Sequence, residues 1–155
     1  LHDDLPAIDP KYIRALLYPL ANYDVAIATL ACPLSEEEAK DPNVVKVTVN
    51  WQEGRNVSWI KDSKIGQVLD LTRDTDNPNG EERYRHIPIY AYQRPQLDRF
   101  VNLEPTDNEL DQRIEGKRAL ENGMRMDVAL IDQVPFNVDS ESDIEHAREL
   151  LDKSF

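Results

Sequence analysis

The stretch that most constrains this chain is Arg85-His86-Ile87-Pro88-Ile89-Tyr90-Ala91-Tyr92, which runs directly into Gln93–Phe100. Ile87 and Ile89 fall at the two-residue period of a strand, and Tyr90 and Tyr92 add β-favouring aromatics. Pro88 has no N–H to give a ladder, so the run is expected at a sheet edge or around a bulge. The helix expected at Pro95–Phe100, with Leu97 and Phe100 inward, makes this a strand-to-helix unit. A chain built on such units is an α/β protein.

The flanking segments extend that reading. Asp9-Pro10 is a helix start, an N-cap followed by proline at the first position. Ile13, Leu16, Leu17 and Leu20 would form its apolar face, and Pro19 would end or kink it. Val25–Ala31 is nearly continuous apolar sequence, as expected of a strand covered on both faces. Ser35 before Glu36, Glu37 and Glu38 predicts a short capped helix. Val45, Val47 and Val49 alternate. With a turn at Glu53-Gly54 and a return over Val57–Ile60 they predict an antiparallel hairpin. Val68, Leu69 and Leu71 mark a further strand, followed by an acidic, turn-rich loop from Asp74 to Glu82.

Glu109–Asn122 reads as one helix stopped by Gly123, but an inconsistent one. The stripe of Leu110 and Ile114 continues into Lys117, and Gly116 mid-helix costs about 1 kcal/mol relative to Ala. Local rules that fail together mark a functional or altered site. Met126, Val128 and Leu130 alternate as a last strand, and Ser140 begins a last helix buried through Ile144, Ala147, Leu150 and Leu151. The 155 residues are read as a single domain, 1–155.

Charge narrows the partners. A formal net charge of −12 disfavours nucleic-acid backbones and anionic membranes, and an anionic substrate would need local Lys or Arg, or a divalent cation. No run reaches the roughly 20 apolar residues of a membrane span. The one cysteine, Cys32, ends an apolar run. It reads as a buried, inert thiol suited to a reducing, cytoplasmic setting.

The five glycines are dispersed, so neither a P-loop nor a dinucleotide fingerprint is present. His2, His86 and His146 have no zinc-ligand spacing. His86, at the strand entry, is open between a structural hydrogen-bonder and a ligand contact. Asp4 and Asp139 lie at strand-to-helix transitions, where α/β sheets bind ligands, and two such carboxylates could share Mg²⁺. Arg73 and Arg85 flank the acidic loop and suit carboxylate or phosphate recognition.

His86-Ile87-Pro88-Ile89-Tyr90-Ala91-Tyr92 resembles a motif of the CMP-Kdo synthetases, the 3-deoxy-manno-octulosonate cytidylyltransferases. Asp4-Leu5-Pro6, Ala28-Thr29-Leu30-Ala31, Asp41-Pro42-Asn43, Val44-Val45-Lys46-Val47, Thr72-Arg73, Phe100-Val101, Arg118-Ala119-Leu120-Glu121 and Val138-Asp139 follow the family in the same order. The resemblance implies the nucleotide-sugar transferase α/β fold, here a partial mixed sheet flanked by helices with an antiparallel hairpin. It implies a reaction in which CTP and the sugar acid Kdo give CMP-Kdo and pyrophosphate for lipopolysaccharide assembly. By motif position Asp4 and Asp139 look like Mg²⁺ ligands, Arg73 like a catalytic residue, and His86, Tyr90 and Glu115 like sugar-pocket residues.

The chain departs from the family at Asp3, Asp74, Asp76, Pro88, Gly116 and Asn137. The family's amino-terminal CTP-phosphate loop has no counterpart in it. Val25–Ala31 would then expose an edge or face, a pairing liability. A homodimer, a complementary amino-terminal half or a repacked sheet would answer it. Two alternatives to an active cytidylyltransferase follow: a non-catalytic binding or assembly module on the same scaffold, or one half of a split enzyme.

Overall fold

A computed structural model describes residues 8–135. Helix α1, Pro10–Leu17, begins where expected: the Asp9 carboxylate accepts from the Lys11 N–H at 2.8 Å, with Pro10 next. Its buried face is Tyr12, Ala15 and Leu16, while Leu17 is half exposed, so the helix is turned about one position from the expected stripe. Tyr12 anchors this orientation through its hydroxyl, which donates to Asp132 at 2.6 Å. Pro19 converts the helix end into a 3₁₀ turn, Tyr18–Ala21.

Five strands follow, with helices between them. They are β1 (Ile27–Cys32), β2 (Lys46–Trp51), β3 (Ile65–Thr72), β4 (Arg83–Tyr92) and β5 (Met126–Leu130). The sheet closes on itself in the order β1-β4-β2-β3-β5, with only the β1–β5 pair parallel. It is thus the expected mixed sheet flanked by helices. The capped helix α2, Glu36–Ala39, has the reciprocal Ser35–Glu38 bonds of a capping box. The remaining helices are α3 (Arg94–Val101), α4 (Asp107–Gln112) and α5 (Gly116–Glu121).

Every residue of β1 is buried, because its two faces meet two cores. Ala28, Leu30 and Cys32 pack with α1, Val57, Ile60, Ile87 and Ile89. Ile27 and Ala31 pack with Val47, Leu71, Met126 and Val128 beneath α5. The exposed edge expected of Val25–Ala31 is not found: β4 and β5 pair with β1 on either side. Sheet closure uses the backbone groups that an open edge would present.

Other expectations change in detail. The hairpin partner of β2 is β3. Val57 and Ile60 instead lie in the connecting turns with their side chains in the core. Leu97 faces outward, at 41% exposure, and Phe100 packs inward. The expected helix 109–122 is two helices. Arg113 breaks it in the left-handed region at φ 53°, so Gly116 opens α5 rather than interrupting a helix.

β4 lies between β1 and β2, but β2 pairs with it only over Arg83–Arg85, so Pro88 stands past the β2 ladder and within a bulge against β1. Thr29 pairs with Tyr90 and Leu30 with Ile87, which leaves Pro88 and Ile89 as extra residues on β4. A residue outside the ladder needs no N–H, which is how proline enters this strand. The expected carboxyl-terminal helix, with Ser140 to Leu151, lies outside the described residues, as do Asp4 and Asp139.

Candidate active site

A cleft of about 210 Å³ opens beside the β4 bulge. Its walls come from four places in the chain. The turn before β2 supplies Asn43, Val44 and Val45, the end of β3 supplies Arg73, β4 supplies Arg85, His86, Pro88 and Tyr90, and the α4–α5 junction supplies Arg113, Ile114 and Glu115. The four described residues that the family motifs singled out, Arg73, His86, Tyr90 and Glu115, therefore line one cavity, and Arg85 lines it with them.

Local bonding fixes these side chains. The Arg73 guanidinium donates through Nε to the Gln112 carbonyl and through Nη1 to the Asn43 carbonyl, both at 2.7 Å. Its backbone N–H donates to Gln112 Oε1 at 2.7 Å. Two loops thus hold the guanidinium, and its charge meets no carboxylate among the described residues. Arg113 likewise has no ion pair among them, whereas Arg85 is paired with Glu38. In a chain of net charge −12 this is a local cationic site facing one carboxylate, Glu115.

Beneath the cleft lies Lys46, only 1% exposed. Its ammonium donates to the Asp41 carbonyl at 2.6 Å and the Arg73 carbonyl at 3.3 Å. Carbonyl dipoles substitute for water, and burial lowers its pKa. The lysine ties the turn before β2 to the end of β3, which are two walls of the cleft.

His86 is buried, at 4% exposure. Its Nε2 lies 2.9 Å from Thr29 Oγ1, and its Nδ1 has no protein partner. Burial pushes its pKa down to about 3, so the ring is neutral at physiological pH. Tyr90 stands beside it, ring centroids 5.5 Å apart, and its buried hydroxyl also lacks a protein partner. Burial, with the Glu115 carboxylate adding to it, raises the Tyr90 pKa well above its ordinary value, which keeps the phenol a donor. The cleft thus combines a neutral imidazole and a phenol with guanidinium groups, chemistry suited to carboxylate or phosphate together with hydroxyls.

Gly116 is explained here. A Cβ at this position would lie 2.6 Å from Leu71 Cδ1 and 3.0 Å from Tyr90 Oη. The start of α5 approaches β3 and Tyr90 so closely that a side chain here would require the Leu71 and Tyr90 side chains to shift.

A family model described as cytidylyltransferase matches residues 1–126. The chain belongs to the cytidylyltransferase family. It is 44% identical over 149 residues to the 3-deoxy-manno-octulosonate cytidylyltransferase of Paramagnetospirillum magneticum, covering 96% of this chain and 57% of that protein. It is 45% identical over 153 residues to the Chelativorans protein of the same name, covering 97% and 59%. Among solved structures it resembles CMP:2-keto-3-deoxy-manno-octonic acid synthetase complexed with CTP. There the TM-score is 0.78 at 26% identity, over 100% of this chain and 61% of the other. The chain thus spans less than two thirds of the length of these relatives.

The cytidylyltransferase motifs explain why Arg73, His86, Tyr90 and Glu115 could be named from sequence. Thr29 and Lys46 fall within motif segments but were given no role, and Gln112 and Arg113 fall outside those segments; sequence reasoning missed all four. Thr29 sits in an apolar run and Lys46 in an alternating strand, so neither pattern flags a polar role. Gln112 and Arg113 lay inside a helix that the structure divides. The left-handed Arg113 was legible only as the inconsistency of that helix. Asp127 was missed as well. It is fully buried and bonded to Arg55 at 2.8 Å and to Arg125 at 3.0 Å, a structural ion cluster away from the cleft.

Among the described residues no helix is long and apolar enough to cross a membrane. Cys32 is buried, and burial pushes its thiol up to about 11, as expected of an inert cysteine.

Proposed function

We propose that this cleft binds the sugar acid Kdo and that the chain contributes that part of the site in a CMP-Kdo-synthesising cytidylyltransferase. The observation that carries the reading is the convergence of Arg73, His86, Tyr90 and Glu115 on one cavity with Arg113. Arg73 and Arg113 offer forked donors for the sugar carboxylate. Tyr90, His86 and Glu115 offer the mixed donors and acceptors that hydroxyls need. Holding the sugar so that its anomeric hydroxyl meets the α-phosphorus of CTP is the chain's share of the reaction, an effect of proximity and orientation.

Asp4 and Asp139 are proposed as the Mg²⁺ ligands. Both lie outside the described residues, and a pair of carboxylates suits a hard, oxygen-seeking ion. The ion would supply charge neutralisation at the phosphates. The partner is proposed to be a second copy of the chain, or a complementary amino-terminal half that holds the CTP phosphates, in the cytoplasm.

Calorimetry of the whole chain with Kdo, and with Mg-CTP, tests this. Kdo binding is expected, weakened about tenfold or more in Arg73→Gln through loss of a charge-assisted bidentate contact. Metal affinity is expected to drop in Asp4→Ala and Asp139→Ala. No Kdo binding by the wild-type chain would refute the site, and unchanged metal binding in both variants would refute the metal assignment. Kdo binding without pyrophosphate release, restored or not by a supplied amino-terminal half, separates a split enzyme from a non-catalytic binding module.

A further inference from the structure

We infer that Thr29 is a positioning residue that fixes His86 as the Nε2-protonated tautomer, so that its Nδ1 meets a ligand as a hydrogen-bond acceptor for a hydroxyl. The inference deepens the sugar-acid reading, on which its ligand half rests; its tautomer half stands on geometry alone.

Thr29 Oγ1 lies 2.8 Å from the Ile89 carbonyl oxygen and 3.3 Å from that of Ile87. Two oxygens at 2.8 Å need a proton between them, and a carbonyl has none to give. The one hydroxyl proton of Thr29 is therefore committed to Ile89. The 2.9 Å contact between Oγ1 and His86 Nε2 also needs a proton, and only the imidazole can supply it. The neutral ring has a single N–H, so Nε2 carries it and Nδ1 is left with a bare lone pair.

The bulge sets this up. Pro88 and Ile89 are the unmatched residues opposite Thr29 and Leu30, and the carbonyls before and at the end of the bulge are those within reach of the threonine. Thr29 and His86 are fully enclosed, at 0% and 4% exposure, so water does not compete for these bonds. The proline that interrupts the strand thus has a chemical consequence, by way of the threonine, at the imidazole.

The unpartnered Nδ1 left by this arrangement is selective. A buried acceptor rejects a carboxylate, which is itself an acceptor, and takes a hydroxyl or another donor. Beside it the Tyr90 hydroxyl, held as a phenol, is a donor without a protein partner. A ligand hydroxyl can donate to one and accept from the other. Both atoms have less than 1 Å² of exposed surface, so a ligand engages them only as the cleft wall relaxes around it. The sugar carboxylate is consequently assigned to the guanidinium groups of Arg73 and Arg113, and His86 to a hydroxyl.

Long-range ¹H–¹⁵N correlation spectra of the His86 ring in the whole chain at neutral pH test the tautomer directly, without ligand and without a variant. The expected pattern is protonated Nε2 and unprotonated Nδ1. A protonated Nδ1 in the wild type would overturn the inference. Thr29→Ser is expected to keep the pattern, and Thr29→Val to lose it to a tautomer mixture. An unchanged pattern in a folded Thr29→Val would remove Thr29's role.

Calorimetry with Kdo then reads the ligand half. Affinity close to wild type is expected for Thr29→Ser, with a loss for Thr29→Val by the factor by which the Nε2-protonated fraction falls, about twofold for an even mixture. Equal affinity in a folded Thr29→Val whose tautomer has changed would overturn the assignment of His86 to a hydroxyl. If the tautomer pattern holds but no chain binds Kdo, the sugar-acid reading and the ligand assignment fail together, while the positioning role of Thr29 survives.

Discussion

Lowering the pH from about 7.5 to about 5 is expected to destabilise this protein through a single imidazole, His86. Burial holds its folded pKa down to about 3, whereas in the unfolded chain it titrates near its ordinary value of about 6.5. Below that value the unfolded state takes up a proton that the folded state refuses. The group therefore costs nothing above pH 6.5. Stability is lost as pH falls from there, and the loss levels off near the folded value. At about 1.36 kcal/mol per unit, the loss from His86 is about 2 kcal/mol at pH 5 and about 4 kcal/mol at pH 3. Since pH 5 lies well above the folded value, the loss there is set almost wholly by the unfolded one. Against a domain stability of roughly 5–15 kcal/mol this is a large effect.

Urea denaturation of the wild type and of His86→Gln at both pH values isolates it, because the carboxylates titrate alike in the two proteins. Glutamine keeps a donor towards Thr29 while removing the titration. The wild type is expected to lose about 2 kcal/mol more than the variant between the two pH values. A parallel NMR titration should leave the His86 ring signals unmoved down to about pH 4. A midpoint near 6.5 for those signals, or equal pH slopes for the two proteins, would refute the burial argument.

Gly116→Ala is expected to destabilise by about 1–3 kcal/mol, since a Cβ there would meet Leu71 and Tyr90 in a packed contact; a variant with unchanged urea midpoint would contradict that account. Arg113→Gly should raise stability by about 0.5–1 kcal/mol by relieving the left-handed conformation, and should weaken Kdo binding in the same preparation. Tighter or equal Kdo binding would remove Arg113 from the site. Asp127→Ala strands Arg55 and Arg125 beside a fully buried position. A loss of about 1–3 kcal/mol is expected, the scale for hydrogen bonds to a charged group, because both arginines remain partly exposed to water. Kdo affinity should be unchanged in whatever fraction folds, as titration calorimetry at low temperature would report.

The strands and caps that rest on neighbours along the chain were legible without coordinates. Asp9-Pro10 and Ser35–Glu38 carry their start signals in the side chains themselves. Val25–Ala31 could be read as buried on both faces from its nearly continuous apolar character. The four pocket residues were legible through family motifs, because each motif spells out local chemistry. What local sequence could not carry was pairing. The choice of β3 over Val57–Ile60 as the partner of β2 depends on long-range contacts. So does the closure of the sheet around β1, which removed the edge that a linear reading demanded.

Pro88 shows the division most clearly. Composition alone required that it leave the ladder, as an edge residue or in a bulge, since proline has no N–H to donate. Only the tertiary structure placed it in a bulge against β1, at a point where the β2 ladder has already ended at Arg85. The same placement set Thr29 against the freed carbonyls and His86 against Thr29, three groups drawn from two strands far apart in the chain. Hydrogen-bond direction depends on which atoms face each other, and that is a property of register rather than of sequence order.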